Sequence, residues 1–275
     1  MEKWSPALNS CVRYATPNIV IDTTAIIHPS AKLGENVSIG PYAVIGADVE
    51  IGDRCKIGPH AVINGPTRIG ADTQIFQFSS IGDAPQDKKY KGEPTALEIG
   101  ERNVIREFCT FNRGTTQDQG VTRIGDDNWI MAYCHVAHDC VVGNKTIFAN
   151  NAQIAGHVHV GDHAILGAFT VVHQFVAIGA YSFTGMGTIL TKDLPPYVMA
   201  NGNLAKPYGL NSEGMKRLGY SAETQRALKH AYKIIYRSGL TVSQALIELE
   251  SIAVLEPEVR RMSDFLEKAT RGIIR

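Results

Sequence analysis

The 275-residue sequence is 44% hydrophobic, enough apolar material for a sizeable core in one large domain or two smaller ones. Its 27 basic and 27 acidic side chains cancel, so no overall field recommends nucleic acid as a partner. No stretch approaches the roughly 18 apolar residues of a membrane span, and the opening MEKWSPALNSCVRYATPN lacks the apolar core of a signal peptide, so a cytoplasmic chain with no membrane insertion is expected.

Residues 1–17 read as an N-terminal extension with no assignable role. From Ile21 the chain steps by six through aliphatic residues: Ile21, Ile27, Leu33, Ile39, Ile45 and onward to Ile81. The step resumes at Ile99, Ile105 and Phe111, and again from Ile124 to Ile178, with Thr184 the one lapse before Leu190. Neither a helix, with its period of about 3.6, nor a flat strand, with its period of about 2, explains this rhythm. A hexapeptide solenoid does. Each hexad supplies a short strand and a corner, three hexads close a triangular coil of 18 residues, and stacked coils pair as parallel strands about 4.8 Å apart. The aliphatic leader of each hexad fills the interior. A glycine usually follows it (Gly34, Gly40, Gly46), as a cramped corner would want. Four places after the leader comes a small or β-branched residue that also turns inward, as at Val37, Ala43 and Val49. The solenoid is expected over residues 18–193.

Two excursions leave the rhythm. GDAPQDKKYKGEPTALE lies between Ile81 and Ile99, and TTQDQGVTR adds seven residues between Phe111 and Ile124. Loops thrown out of a rigid scaffold are favoured places for binding groups. Lys88, Lys89 and Lys91 in the first either meet a phosphate or are ordinary solvated charge.

The segment MAYCHVAHDCVVGN, residues 131–144, crowds two cysteines, two histidines and an aspartate together. Cys55, Cys109, Cys134 and Cys140 each fall four after a leader, which makes them small core fillers. An odd total of five cysteines without a secretory signal also argues against a disulfide framework. His135 and His138 sit five and two after their leaders and face outward. Cysteines facing in and histidines facing out cannot share a tetrahedral zinc, and no metal is expected. Residues 18 apart stack, so His138, Gly156 and Gln174 form one outward column, with Asp139 beneath His157. An imidazole beside an unobstructed glycine N–H can pair a base with an oxyanion donor. The same histidines also read as solvated surface.

The rhythm stops at KDLPPYV, where Pro195 and Pro196 end strand pairing. Residues 194–275 are expected to form a small C-terminal α-helical domain. Ser221 caps a helix running through Arg237, with Gly239 as its stop. Thr241 and Gln244 make a capping box for the next, and Pro257 opens a last helix through about Thr270. This part carries 12 Lys/Arg against 8 Asp/Glu, a weakly basic surface that suits an acidic partner or is plain solvated helix.

The stretches IFQFSSIG, QDKKYKGEPT, FNRGTT, HVAHDCVVGN, FANNAQIAGHV, VVHQF, DLPPYV, YKIIYRSG and TRGIIR occur in that order. With them, the chain from about Ile21 to Arg275 closely resembles the acyl-carrier-protein-dependent UDP-N-acetylglucosamine O-acyltransferases that begin lipid A synthesis in Gram-negative bacteria. The resemblance implies a left-handed parallel β-helix, a hand that periodicity could not reveal, since parallel crossovers are otherwise right-handed in about 98% of cases. It also implies a homotrimer with active sites between neighbouring solenoids. UDP-N-acetylglucosamine and the phosphopantetheine thioester of acyl carrier protein are the implied co-substrates, with no separate cofactor. By the same resemblance His138 is the general base acting on the sugar 3-hydroxyl, Asp139 sets its tautomer, and the Gly156 N–H receives the thioester oxyanion. Asp87 and Lys89 contact the nucleotide sugar. His135, His157, His173 and Gln174 line the sugar and acyl site, and Asn211, Glu213 and Arg217 lie near the nucleotide and the phosphopantetheine arm. Met186 stands at the family's acyl-length ruler, where a thioether in place of glycine implies a donor of about ten carbons. Rival readings are an acyltransferase for an amino sugar nucleotide, a noncatalytic trimeric scaffold, and a zinc carbonic anhydrase of the same fold. The last would draw on His135, His138 and His157 but lacks the usual spacing between two of its ligands.

Overall fold

The computed structural model describes residues 20–275, and the extension expected over residues 1–17 lies outside the described residues. The chain coils as a left-handed parallel β-helix of three sheets, each strand pairing with the strand one coil away. The first sheet runs from Val20–Ile21 to Phe183–Thr184, the second from Ile26–Ile27 to Ile189–Leu190 and the third from Lys32–Leu33 to Ala177–Ile178. Register follows the hexads: Ile39 pairs with Ile57, Val136 with Ile154 and Val142 with Val160. The two excursions lengthen individual coils without breaking this register, since Ile75 still pairs with Ile105 and Ile105 with Ile130.

Leaders from Ile39 onward are buried, and so are the residues four places later, including Val37, Ala43, Cys55, Cys109, Cys134 and Cys140. Each fully buried aliphatic side chain contributes about 1.5–3 kcal/mol, so a single continuous core holds the prism. Two of the interior positions that depart from the small or β-branched pattern carry amides. Asn103 and Asn128 stack inside the barrel, where Asn103 Oδ1 accepts from Asn128 N (2.9 Å) and Asn128 Oδ1 from Thr146 N (2.8 Å), so these interior amides link coils. Thr184, the lapse among the leaders, is buried and pairs its hydroxyl with Thr170 Oγ1 at 2.7 Å.

The corners differ from expectation. The left-handed conformation belongs to the residue three after the leader, almost always not glycine: Tyr42, Asp48, Asp139, His157 and Phe175 all have φ between +56° and +65°. The glycines just after the leaders serve close approach instead. A Cβ on Gly34 would lie 2.7 Å from Asp53 N, and one on Gly40 would lie 2.8 Å from Pro59 N.

Pro195 and Pro196 end the third sheet, but the first sheet gains one more parallel strand, Val198–Asn201, and an antiparallel partner, Lys206–Leu210. Strand pairing on that face therefore continues past residue 193. Prolines at the corner remove donors only where the third sheet would have needed them. Helices follow at Ser212–Arg217 (α1), Ala222–Arg237 (α2), Val242–Ala253 (α3) and Pro257–Lys268 (α4). Ser221 caps α2, and the Thr241/Gln244 capping box opens α3. α4 stops two residues before the expected Thr270, and the tail turns back so that Ile274 N donates to Asp193 O (3.0 Å) with Ile273 and Ile274 buried. That return seats the helices on the end of the solenoid.

Candidate active site

The corner between the second and third sheets carries the residues three after Val136, Ile154 and Val172: Asp139, His157 and Phe175. Just before them in the coil come His138, Gly156 and Gln174. His138 Nδ1 lies 2.9 Å from Asp139 Oδ2. Asp139 is 3% exposed, and its carboxylate also accepts from Thr115 N at Oδ1 (2.8 Å) and Thr115 Oγ1 at Oδ2 (2.6 Å). Its backbone N–H donates to Thr122 Oγ1 (2.8 Å). These partners leave the His138 Nδ1 proton as the natural occupant of the remaining lone pair of Oδ2. The tautomer that results frees Nε2 to accept a proton.

Gly156 lies one coil on, directly against the His138 ring. A Cβ at this position would come 2.6 Å from His138 Cε1 and 2.8 Å from Nε2, so only glycine admits the imidazole there. Among the described residues the Gly156 N–H has no protein acceptor, while its carbonyl accepts from Phe175 N (3.1 Å). A free amide and a free imidazole nitrogen thus share one small cleft of about 260 Å³, lined also by Gln86, Asn112, His135 and Val171.

His157 completes the cluster. Its Nδ1 sits 2.8 Å from Asp118 Oδ2, its ring lies flat on Phe175 with centroids 4.3 Å apart, and it meets His138 edge-on at 5.1 Å. His135 stands across the cleft with Nδ1 2.7 Å from Thr110 Oγ1. Burial holds its imidazole below the ordinary histidine range, partly offset by Thr110, so it is neutral at pH 7. His173 is exposed, with Nδ1 3.1 Å from the Gln174 carbonyl, and Gln174 is exposed above Gly156.

His135, His138 and His157 do not converge: among the described residues the one set able to offer metal ligands is His138, Asp139 and His157. Within that set His138 Nδ1 is hydrogen-bonded to Asp139 Oδ2, Asp139 Oδ2 to Thr115 Oγ1 and His157 Nδ1 to Asp118. Cys55, Cys109, Cys134 and Cys140 are free and buried. Burial pushes the Cys55 thiol up to about 11 and that of Cys140 up to about 12, and Cys140 Sγ donates to Ala155 O at 3.1 Å.

Other residues singled out in the sequence lie elsewhere on the chain. Asp87 Oδ1 accepts from Lys89 N (2.9 Å) in the long excursion, with Lys89 exposed, and of that loop Gln86 is the residue that lines the His138 cleft. Asn211 caps α1, accepting from Gly214 N (3.0 Å) and donating to Tyr181 O (3.1 Å). Glu213 pairs with Lys216 at 2.9 Å, and Arg217 is exposed. None of these α1 residues lines the His138 cleft of its own chain. Met186 is 76% exposed at the corner between the first and second sheets, nearly three coils beyond His138, so the two lie at opposite edges of the second face. Sequence reasoning missed Thr115, Asp118 and Thr122. The only signal for them was the excursion itself, which has no period from which to infer direction.

The family model described as UDP N-acetylglucosamine O-acyltransferase, domain 2, matches residues 193–274, and the bacterial transferase hexapeptide model matches residues 30–65 and 122–156. The chain is 60% identical over 255 residues to the acyl-[acyl-carrier-protein]–UDP-N-acetylglucosamine O-acyltransferase of Thiobacillus denitrificans, covering 93% of this chain and 99% of that one. It is 57% identical over 256 residues to the protein of that name from Neisseria gonorrhoeae, with the same coverage. Among solved structures, LpxA of Acinetobacter baumannii superposes with a TM-score of 0.92 at 50% identity, covering 93% of this chain and 100% of that one. The UDP-N-acetylglucosamine O-acyltransferase of Moraxella catarrhalis gives 0.91 at 46%, covering 93% and 99%.

Proposed function

Because the chain belongs to the family of acyl-carrier-protein-dependent UDP-N-acetylglucosamine O-acyltransferases, we propose that it transfers a 3-hydroxyacyl chain from acyl carrier protein to the 3-hydroxyl of UDP-N-acetylglucosamine. This is the first step of lipid A synthesis, carried out in the cytoplasm and without a metal. The observation that carries the reading is His138, held at Nδ1 by Asp139 and free at Nε2, lying against the unengaged Gly156 N–H. As the sugar oxygen attacks the thioester carbonyl, Nε2 takes the hydroxyl proton and the Gly156 amide receives the carbonyl oxygen as it gains charge. The tetrahedral centre collapses, the C–S bond breaks, and the departing phosphopantetheine sulfur recovers the proton from His138. No acyl-enzyme forms, which suits cysteines locked inside the barrel.

The decisive experiment pairs UDP-N-acetylglucosamine with a ladder of 3-hydroxyacyl carrier proteins and identifies the product by mass. A 3-amino analogue of the sugar nucleotide in the same assay separates the amino sugar reading. The acyl tail starting at His138 crosses the second face, past Gln153 and Val171, towards the corner that carries Met186. The thioether closes that path early, so donors of about ten carbons are preferred. Met186→Gly should shift the preference to longer chains, and an unchanged chain-length profile places the ruler elsewhere.

The working unit is a homotrimer. The third face carries alternating charge, with Lys32, Glu50 and Arg68 joined by ion pairs of 2.6 and 3.1 Å and Arg123 paired with Glu98 at 3.2 Å, as suits a face turned to water. The first face instead presents Trp129, Ile147, Ile165 and Phe183. The corner between the first and second faces carries a ladder of stacked rings, Tyr42, His60, Phe78, Phe108 and Tyr133, with centroids 4.8–5.2 Å apart. Phe78 and Phe108 are 50% and 41% exposed in the single chain, and an apolar edge of this length marks a contact surface. With that edge at the threefold axis, Asn211, Glu213 and Arg217 reach the His138 cleft from the neighbouring chain. Phe78→Glu combined with Phe108→Glu should yield monomers by analytical ultracentrifugation, and a persistent trimer would move the axis to another edge.

A further inference from the structure

The short excursion after Phe111 fastens four separate parts of the molecule within seven residues. Asn112 Nδ2 donates to Ala84 O (2.8 Å) at the root of the long loop, and Arg113 Nη1 donates to Gly65 O (3.0 Å) and Gly82 O (2.6 Å). Thr115 then donates twice to Asp139, 24 residues further along, and Asp118 accepts from His157, 39 residues along. We propose that Thr115 and Asp118 are positioning residues that hold Asp139 and His157 in the one arrangement that aims His138 Nε2 at the acceptor hydroxyl. The proposal rests on His138 being the base.

The physical case begins with Asp139. Thr115 N takes Oδ1 and Thr115 Oγ1 takes Oδ2, and two donors on two oxygens fix the plane of the carboxylate as one donor cannot. That plane decides whether Oδ2 meets His138 Nδ1. Without the hydroxyl, Oδ2 loses its Thr115 donor and the carboxylate keeps only the backbone donor at Oδ1; it turns, and the imidazole loses the contact that sets its tautomer and its angle. Asp118 acts on the other side. Its grip on Nδ1 keeps the His157 ring parallel to Phe175, at 8°, and perpendicular to His138, at 87°, so that His157 is the wall against which the base rests. A base misplaced by about 1 Å loses on the order of a hundredfold in rate.

Thr115→Val removes the hydroxyl, keeps the backbone donor and nearly preserves shape. In the full-length enzyme kcat should fall ten- to a hundredfold while KM for UDP-N-acetylglucosamine stays within about threefold. Thr115→Ser, which restores the O–H, should recover most of the loss, and Asp118→Ala should lower kcat about tenfold. Added to His138→Ala, Thr115→Val should cost nothing further, because its effect passes through the imidazole. A Thr115→Val enzyme with kcat within twofold of wild type overturns the proposal for Thr115, as does a serine variant as damaged as the valine one. Wild-type kcat in Asp118→Ala overturns it for Asp118. If His138→Ala is inactive in the same assays, these outcomes sink the positioning alone, whereas an active His138→Ala sinks the base assignment itself.

Discussion

His138→Ala should lower turnover on the order of 10² to 10⁴-fold while leaving the assembly and sugar-nucleotide binding intact. The sugar hydroxyl is a poor nucleophile whose proton must leave as the C–O bond forms, and no other group in the cleft is placed to take it. Burial weakens His135, the other imidazole lining the cleft, as a base, and His157 and His173 lie outside the lining. The His138 imidazole, 17% exposed, lies outside the continuous hydrophobic core, so its loss removes no core packing. Steady-state rates, with equilibrium binding of UDP-N-acetylglucosamine measured on the same samples, check both halves. More than about a tenth of wild-type activity would remove His138 from the role.

Gly156→Ala should be nearly as damaging, although it deletes no functional group. The backbone there is not left-handed, so alanine is acceptable to the chain itself. Its Cβ, however, would stand 2.6 Å from His138 Cε1 and 2.8 Å from Nε2. Carbon atoms cannot approach so closely, and of the two groups the side chain moves more readily than the stacked coil. The imidazole is therefore displaced from Asp139 and from the Gly156 amide, with an expected loss of a hundredfold or more in kcat. Thermal unfolding should change little, because the strain is relieved at the surface. A variant with near-normal kcat would show that His138 works from a different position from the one it occupies against Gly156.

The long-range order of the molecule was legible in the residues because a hexad is a covalent period. Once Ile51, Ile105, Ile130 and Val136 lead their hexads, Cys55, Cys109, Cys134 and Cys140 must point inward and His138 outward, and coil length alone stacks Gly156 on His138. The corner chemistry was less legible. Glycine after the leader suggested a turn requirement, yet the left-handed residues are Tyr42, Asp139, His157 and their equivalents, and the glycines answer to the backbone of the next coil. That distinction depends on how closely coils approach, a distance no single hexad contains.

The positions of Thr115, Asp118, Asp87 and Asn211 lay further out of reach. An excursion has no period, so nothing in TTQDQG says that its threonine returns to a carboxylate 24 residues on or that its aspartate meets a histidine 39 residues on. Composition and register by themselves determined the solenoid, its interior, the fate of the cysteines and the column that joins His138 to Gly156. Only the tertiary structure decided which nitrogen of His138 is held, why residue 156 has no side chain, and that Met186 and His138 stand at opposite edges of one face. The reason is physical: a repeat propagates its geometry along the chain by local bonding, whereas a loop acquires its geometry from whatever buried acceptor it folds back to satisfy.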